Sequence, residues 1–169
     1  SVDPAQYAAR PDLFRGGVVA PRRQPWFDCS CCPMNEARLL AALGGYCYAT
    51  EGDRLYVNLY ATSSARIELA AGTATLTQET EYPWDGRVRL VWHTDALREA
   101  TLALRIPGWC GRAQVAINDA PWQPADPTIR GYYLVDRLWQ AGDTINLDLA
   151  MPPERVYCRP KVRANVGRV

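Results

Sequence analysis

Beyond residue 50, apolar and polar positions alternate with a period of two, the spacing of a strand with one face buried. The stretches "RLYVNLYAT", "ARIELAA", "TATLTQETEY", "RVRLVWHT", "ATLALRIPGW", "AQVAIND", "GYYLVDRLW" and "DTINLDLAM" are short and evenly spaced. Turn dipeptides separate them: Gly52-Asp53, Ala71-Gly72, Asp85-Gly86, Asn118-Asp119 and Gly142-Asp143. In "TINLDL" the alternation sends Ile145, Leu147 and Leu149 inward and Asn146 and Asp148 outward. Many short strands with regular turns and almost no helix predict an antiparallel β-sandwich, jelly-roll-like, over residues 51–169. Ahead of it the period is 3.6. Met34, Ala37, Leu40 and Ala41 recur at helical spacing, and the predicted helix covers about residues 33–43. Pro33 suits its first position, where the missing N–H costs nothing, and Gly44-Gly45 offers a left-handed stop. Residues 1–25 are rich in Pro, Arg and Gly and read as an extended loop. The N-terminal piece, 1–50, therefore holds a loop, a cluster of thiols and one helix. A single helix cannot bury its own apolar face, so this piece is expected to pack on protein outside these residues.

Composition narrows the partners. The chain has 169 residues, 48% hydrophobic and 22% charged, with a formal net charge of +1. Basic residues form no stripe interleaved with aromatics, so no nucleic-acid partner is expected. Arg159, Lys161, Arg163 and Arg168 cluster near the C-terminus and read as a solvated edge strand. No apolar run reaches the ~18 residues of a membrane span, and the N-terminus lacks a secretory pattern. The expected setting is cytoplasmic, away from membranes, with homodimerisation left open. Six cysteines invite a disulfide reading. Adjacent Cys31 and Cys32 are badly placed to bridge each other, however, and a domain of this size needs no staples. Metal-binding or reactive thiols in a reducing compartment fit better.

The chemistry concentrates in "WFDCSCCPMNEARLLAALGG", residues 26–45, where Cys29, Cys31 and Cys32 stand just ahead of the helix. In extended backbone Cys29 and Cys31 share a face and Cys32 points away. A sharp turn into Pro33 would let Cys31 and Cys32 converge on one centre. Unpaired N–H groups and the dipole at a helix start favour negative charge there, and zinc would hold both sulfurs as thiolates at about 2.3 Å. The segment offers only two or three ligands, and Cys47, Cys110 and Cys158 are lone residues in strand-like surroundings. A metal or reactive site and buried thiols used as small hydrophobes stand level on these grounds.

"RQPWFDCSCCPMNEARLLAALGGYCYAT" resembles the cysteine-motif segment of the β-L-arabinofuranosidases of glycoside hydrolase family 127, with Met34 where a second proline is common. The resemblance continues through "DRLYVNLYATSSARI", "LALRIPGWC", "GYYLVDRLWQAGDTINLDLAMPPERV" and "KVRANVGRV". It implies a retaining glycosidase acting on an L-arabinofuranose-containing carbohydrate, with zinc as cofactor. By motif, Cys31 is implied as catalytic nucleophile and zinc ligand, and Cys32 as a second zinc ligand. The other ligands, a Glu and a Cys of an E-x-C motif, and the general-acid glutamate are implied upstream, since no E-x-C occurs here. Residues 1–50 would be the end of an (α/α)6 catalytic barrel and 51–169 the following sandwich, with further strands after "VGRV". Alone, such a fragment is expected to be inactive.

Other residues have plainer expectations. Cys29 belongs to the motif and reads as structural. Asn35 could orient the cysteine loop or simply be a polar first-turn residue, and Glu36 suits the helix dipole better than acid/base work. Trp26 and Phe27 read as core more readily than as a sugar wall. His93 is placed at the surface and Trp109 in the core. Trp84, Trp92, Trp122 and Trp139 read as core or domain interface, with a sugar platform as the lesser option. Two rivals to the enzyme remain: a carbohydrate-binding sandwich with structural thiols, and a small zinc-binding interaction module.

Overall fold

In the computed structural model, residues 31–128, 130–155, 157–159 and 161–163 are described. Two compact units meet in sequence between Ala42 and Leu43. The described part of the first is helix α1, Cys31–Ala42, whose side chains are all exposed. The second opens with a four-residue helix α2, Gly44–Cys47, and continues as a β-sandwich.

Period-two segments become strands because each buries alternate side chains on a shared core. The strands are β1 (Tyr48–Glu51), β2 (Arg54–Val57), β3 (Ser63–Leu69), β4 (Gly72–Thr80), β5 (Arg87–His93), β6 (Arg98–Arg105), β7 (Ala113–Ile117), β8 (Gln123–Pro124), β9 (Tyr132–Trp139) and β10 (Thr144–Leu149). One sheet runs β1-β2-β6-β9 and the other β3-β4-β5-β10-β7-β8. Leu55, Val57, Leu102, Leu104 and Trp139 from the first sheet join Leu76, Leu90, Trp92, Ile145, Leu147 and Leu149 from the second in one buried cluster. In β10 the apolar residues Ile145, Leu147 and Leu149 are the buried ones, as the alternation requires. Burying a side chain of this size contributes about 1.5–3 kcal/mol against leaving it in water.

The antiparallel sandwich expected from sequence is present with one parallel pair, and three other expectations are corrected. Pairing is antiparallel except between β2 and β6, which run parallel with Arg54 opposite Thr101 and Val57 opposite Leu104. The two come together only through β3, β4 and β5, which cross to the other sheet. The helix starts two residues early, so Pro33 is its third residue, still within the first turn where N–H groups lack helical partners. Gly44-Gly45 does not act as a left-handed stop: neither is among the residues with positive φ, and both enter α2 behind Leu43 at φ −57°, ψ −39°. Glycine permits the left-handed turn without imposing it. Finally, Arg159, Lys161 and Arg163 are exposed outside any strand among the described residues, and Arg168 lies beyond those residues. Prolines at 152, 153 and 160 deprive that stretch of ladder donors.

Turn chemistry locks the large sheet. Gly86 lies where an added Cβ would come within 1.9 Å of the Leu149 carbonyl oxygen, so only glycine lets the β5 entry approach the end of β10. At the opposite turn Asn118 takes φ +52°. Its Nδ2 donates to Asp143 Oδ1 at 2.8 Å, and its Oδ1 accepts from the Thr144 N–H at 2.8 Å. Asp143, 3% exposed, also accepts from the Gln140 N–H at 3.0 Å and faces Arg137 at 3.7 Å. Replacing it leaves two donors and a cation without their partner. Asp143→Ala should cost about 2–4 kcal/mol in urea unfolding of the chain, with Asp143→Asn costing less. No measurable change would show that the clasp is ornamental.

Candidate functional site

The two thiols singled out by sequence are the first two residues of α1. Ala, Leu and Arg fill the helix behind them, all strong helix formers. Pro33 and the helical geometry fix the backbone at the pair, and their Sγ atoms stand 3.7 Å apart. Both side chains are exposed. That spacing is far longer than a disulfide. It matches the edge of a tetrahedral zinc–sulfur site, since two sulfurs about 2.3 Å from zinc lie about 3.8 Å apart. No group of three or more His, Cys, Asp or Glu able to hold a metal occurs among the described residues, so the fit covers two ligands and requires others. Cys29, Trp26 and Phe27 lie outside the described residues. Asn35 and Glu36 are exposed on α1.

None of the other described thiols sits in a strand as sequence suggested. Cys47 ends α2, buried, with its Sγ directed at the Leu43 carbonyl at 3.7 Å. Cys110 lies in a turn and donates to the Arg112 carbonyl at 3.2 Å. Exposed Cys158 faces the Val162 carbonyl at 3.9 Å. Each of these three thiols faces a backbone carbonyl. His93 is at the surface as expected, its Nε2 3.1 Å from Thr77 Oγ1.

Within the sandwich, Trp92 and Trp139 are core residues, whereas Trp109 is not: it is 49% exposed. The strand β6 ends at Arg105, and Pro107–Cys110 closes a turn through the Cys110 N–H and Pro107 carbonyl at 2.9 Å. That turn carries Trp109 beyond the end of the strand. Its ring lies nearly parallel to Tyr82, 19° between planes, and Tyr82 meets Tyr60 edge-on. Together with Asn58 and Arg105 they line a cavity of about 150 Å³. Tyr60 donates its hydroxyl to the Arg105 carbonyl at 2.7 Å, and burial pushes its phenol well above the usual range, so it stays protonated. Tyr132 donates to Asn58 Oδ1 at 2.7 Å. Sequence reading missed this cavity, since its residues come from distant turns. The "PGW" triplet was the available signal, because a turn at a strand end carries the next side chain out of the sheet.

Known proteins match both the sequence and this architecture. The family model described as the β-L-arabinofuranosidase, GH127 middle domain, matches residues 54–151. A non-reducing end β-L-arabinofuranosidase of Bifidobacterium longum subsp. longum is 32% identical over 157 residues, covering 89% of this chain and 23% of that protein. Among solved structures, a GH127 β-L-arabinofuranosidase from Geobacillus stearothermophilus T6 is 45% identical with a TM-score of 0.76, covering 88% of this chain and 24% of its own. A GH127 β-arabinofuranosidase is 35% identical with a TM-score of 0.74, covering 86% and 25%. The chain spans about a quarter of the length of these relatives.

Proposed function

The chain belongs to the GH127 β-L-arabinofuranosidase family, and from that premise we propose that it forms part of a retaining glycoside hydrolase acting on β-L-arabinofuranosides, with Cys31 as nucleophile. The observation that carries the reading is the exposed Cys31–Cys32 pair with Sγ atoms 3.7 Å apart at the start of α1. Cys31 and Cys32 would hold zinc, with the remaining ligands supplied from outside the described residues. When bound, the metal supplies positive charge that favours thiolate over thiol.

The chemistry of Cys31 comes from sulfur itself. Its Sγ lone pair attacks the anomeric carbon as the glycosidic C–O bond breaks. The departing oxygen takes a proton from an acid outside this chain. Water then gives a proton back to that group and attacks the same carbon, the C–S bond breaks with its electron pair returning to sulfur, and the Cys31 thiolate is regenerated. Two inversions at one carbon give net retention, the outcome that two carboxylates produce in most glycosidases. The helix that Cys31 opens fixes where the sulfur stands. Thiols that must stay reduced suit a reducing compartment.

The full-length protein should hydrolyse an aryl β-L-arabinofuranoside, with β-L-arabinofuranose as the first product seen by NMR. The 169 residues alone should not. Inversion at the anomeric carbon would exclude Cys31 as nucleophile, and an inert full-length protein would remove the substrate assignment.

A further inference from the structure

The cavity beside Trp109 is built for one flat, hydroxyl-bearing ring, and we propose that it is a second, non-catalytic carbohydrate subsite on the sandwich, binding a single pentose unit of the glycan. Four observations meet there. Trp109 presents about half its surface to solvent while stacked on Tyr82. Tyr82 in turn meets Tyr60 edge-on, so three aromatic rings line the cavity. Exposed aromatic faces are costly in water and are partnered well by the C–H face of a sugar, whose hydrogens meet the electron-rich ring. Polar groups converge on the rim: the exposed Arg105 guanidinium directs one N–H to the Asn58 carbonyl at 3.4 Å and keeps further donors, while Asn58 adds an amide. Such planar donors and acceptors suit the vicinal hydroxyls of a sugar.

Size selects the ligand. About 150 Å³ is below the roughly 300–1,000 Å³ of pockets for drug-sized ligands, so one ring enters and the rest of a chain stays outside. The platform is also held in advance. The Tyr82 N–H donates to Thr80 Oγ1 at 3.0 Å, and the Trp84 N–H closes a turn on the Glu81 carbonyl at 2.9 Å. Arg87 grips Asp85 through both Nε and Nη2, and that grip holds the Asp85 carboxyl down at about 2. A loop pinned at both ends loses little freedom on binding.

The inference rests on the glycosidase reading only for the choice of sugar. Its test uses the full-length protein carrying Cys31→Ser, titrated by calorimetry with a β-linked L-arabinofuranose disaccharide. Two binding events per chain are expected. Trp109→Ala, and separately Arg105→Met, should weaken one event by about tenfold or more and spare the other. In protein with Cys31 intact, both substitutions should leave hydrolysis of the small aryl glycoside within about twofold. A single event indifferent to both substitutions overturns the subsite and marks this surface as one covered by the remainder of a longer protein. Loss of an event with Trp109→Ala in a parent that hydrolyses no arabinofuranoside supports the subsite and sinks the catalytic reading alone.

Discussion

Replacing Cys31 by Ser in the full-length protein should lower hydrolysis of an aryl β-L-arabinofuranoside on the order of 10³-fold or more, with the fold intact. Serine changes one atom and nearly keeps the size of the side chain, so packing at the start of α1 is untouched. What disappears is the nucleophile, and enzymes deprived of one lose several orders of magnitude in kcat. A hydroxyl is far harder to ionise than a thiol and is a harder, less polarisable attacker. Zinc content gives a second readout: both Cys31→Ser and Cys32→Ser should bind less metal than the parent, because each removes one of the two sulfurs proposed as zinc ligands. Full activity in Cys31→Ser would dismiss the thiol as nucleophile, whatever the metal content. Normal zinc content with lost activity would separate the two roles, leaving Cys31 as nucleophile and removing it as ligand.

Trp139→Ala should be the most damaging single change in the sandwich, costing about 3–5 kcal/mol in urea unfolding. The indole is fully buried, at 0% exposure, on the edge strand of the small sheet. It leans on Trp92 across the core with 5.6 Å between ring centroids. Its Nε1 donates to the Ala100 carbonyl at 2.9 Å, and the Arg137 guanidinium sits 5.1 Å over its ring. Truncation therefore opens a cavity between the sheets, strands a buried carbonyl and removes a cation–π contact in one step. Trp139→Phe keeps most of the volume and should cost about half as much or less. Equal costs for the two variants would assign the effect to the lost hydrogen bond instead of the cavity.

What could be read from the chain alone was whatever depends on near neighbours. Leu147 between Asn146 and Asp148 announces its own face, and the β10 burial pattern agrees residue by residue. Pairing partners are another matter. Nothing in "RLYV" says that its second neighbour lies parallel to it more than 40 residues later, because parallel pairing is decided by how the two sheets share strands. Trp109 misled for a related reason. Its apolar surroundings point to the core, yet Pro107-Gly108 ends the strand first and the turn carries the indole out. Around the thiols, spacing alone left a metal site level with buried hydrophobes. Exposure of both sulfurs and their 3.7 Å separation now argue against burial, while the nucleophile assignment still leans on the family motif.

The place of β10 in the large sheet bears on how the chain is made. It is the last strand in sequence among the described residues, yet it lies between β5 and β7, bonded to both. As the polypeptide leaves the ribosome, the β3–β4–β5 meander can zip from local contacts as soon as it emerges. Until residues 144–149 arrive, however, β5 and β7 each present an open hydrogen-bonding edge, with apolar side chains waiting on one face. Late closure through a central strand is slow, since distant segments must meet before either is rewarded, and open edges invite pairing with other chains. The interval between synthesis of His93 and Leu149 is thus when a nascent chain most needs a chaperone's cover.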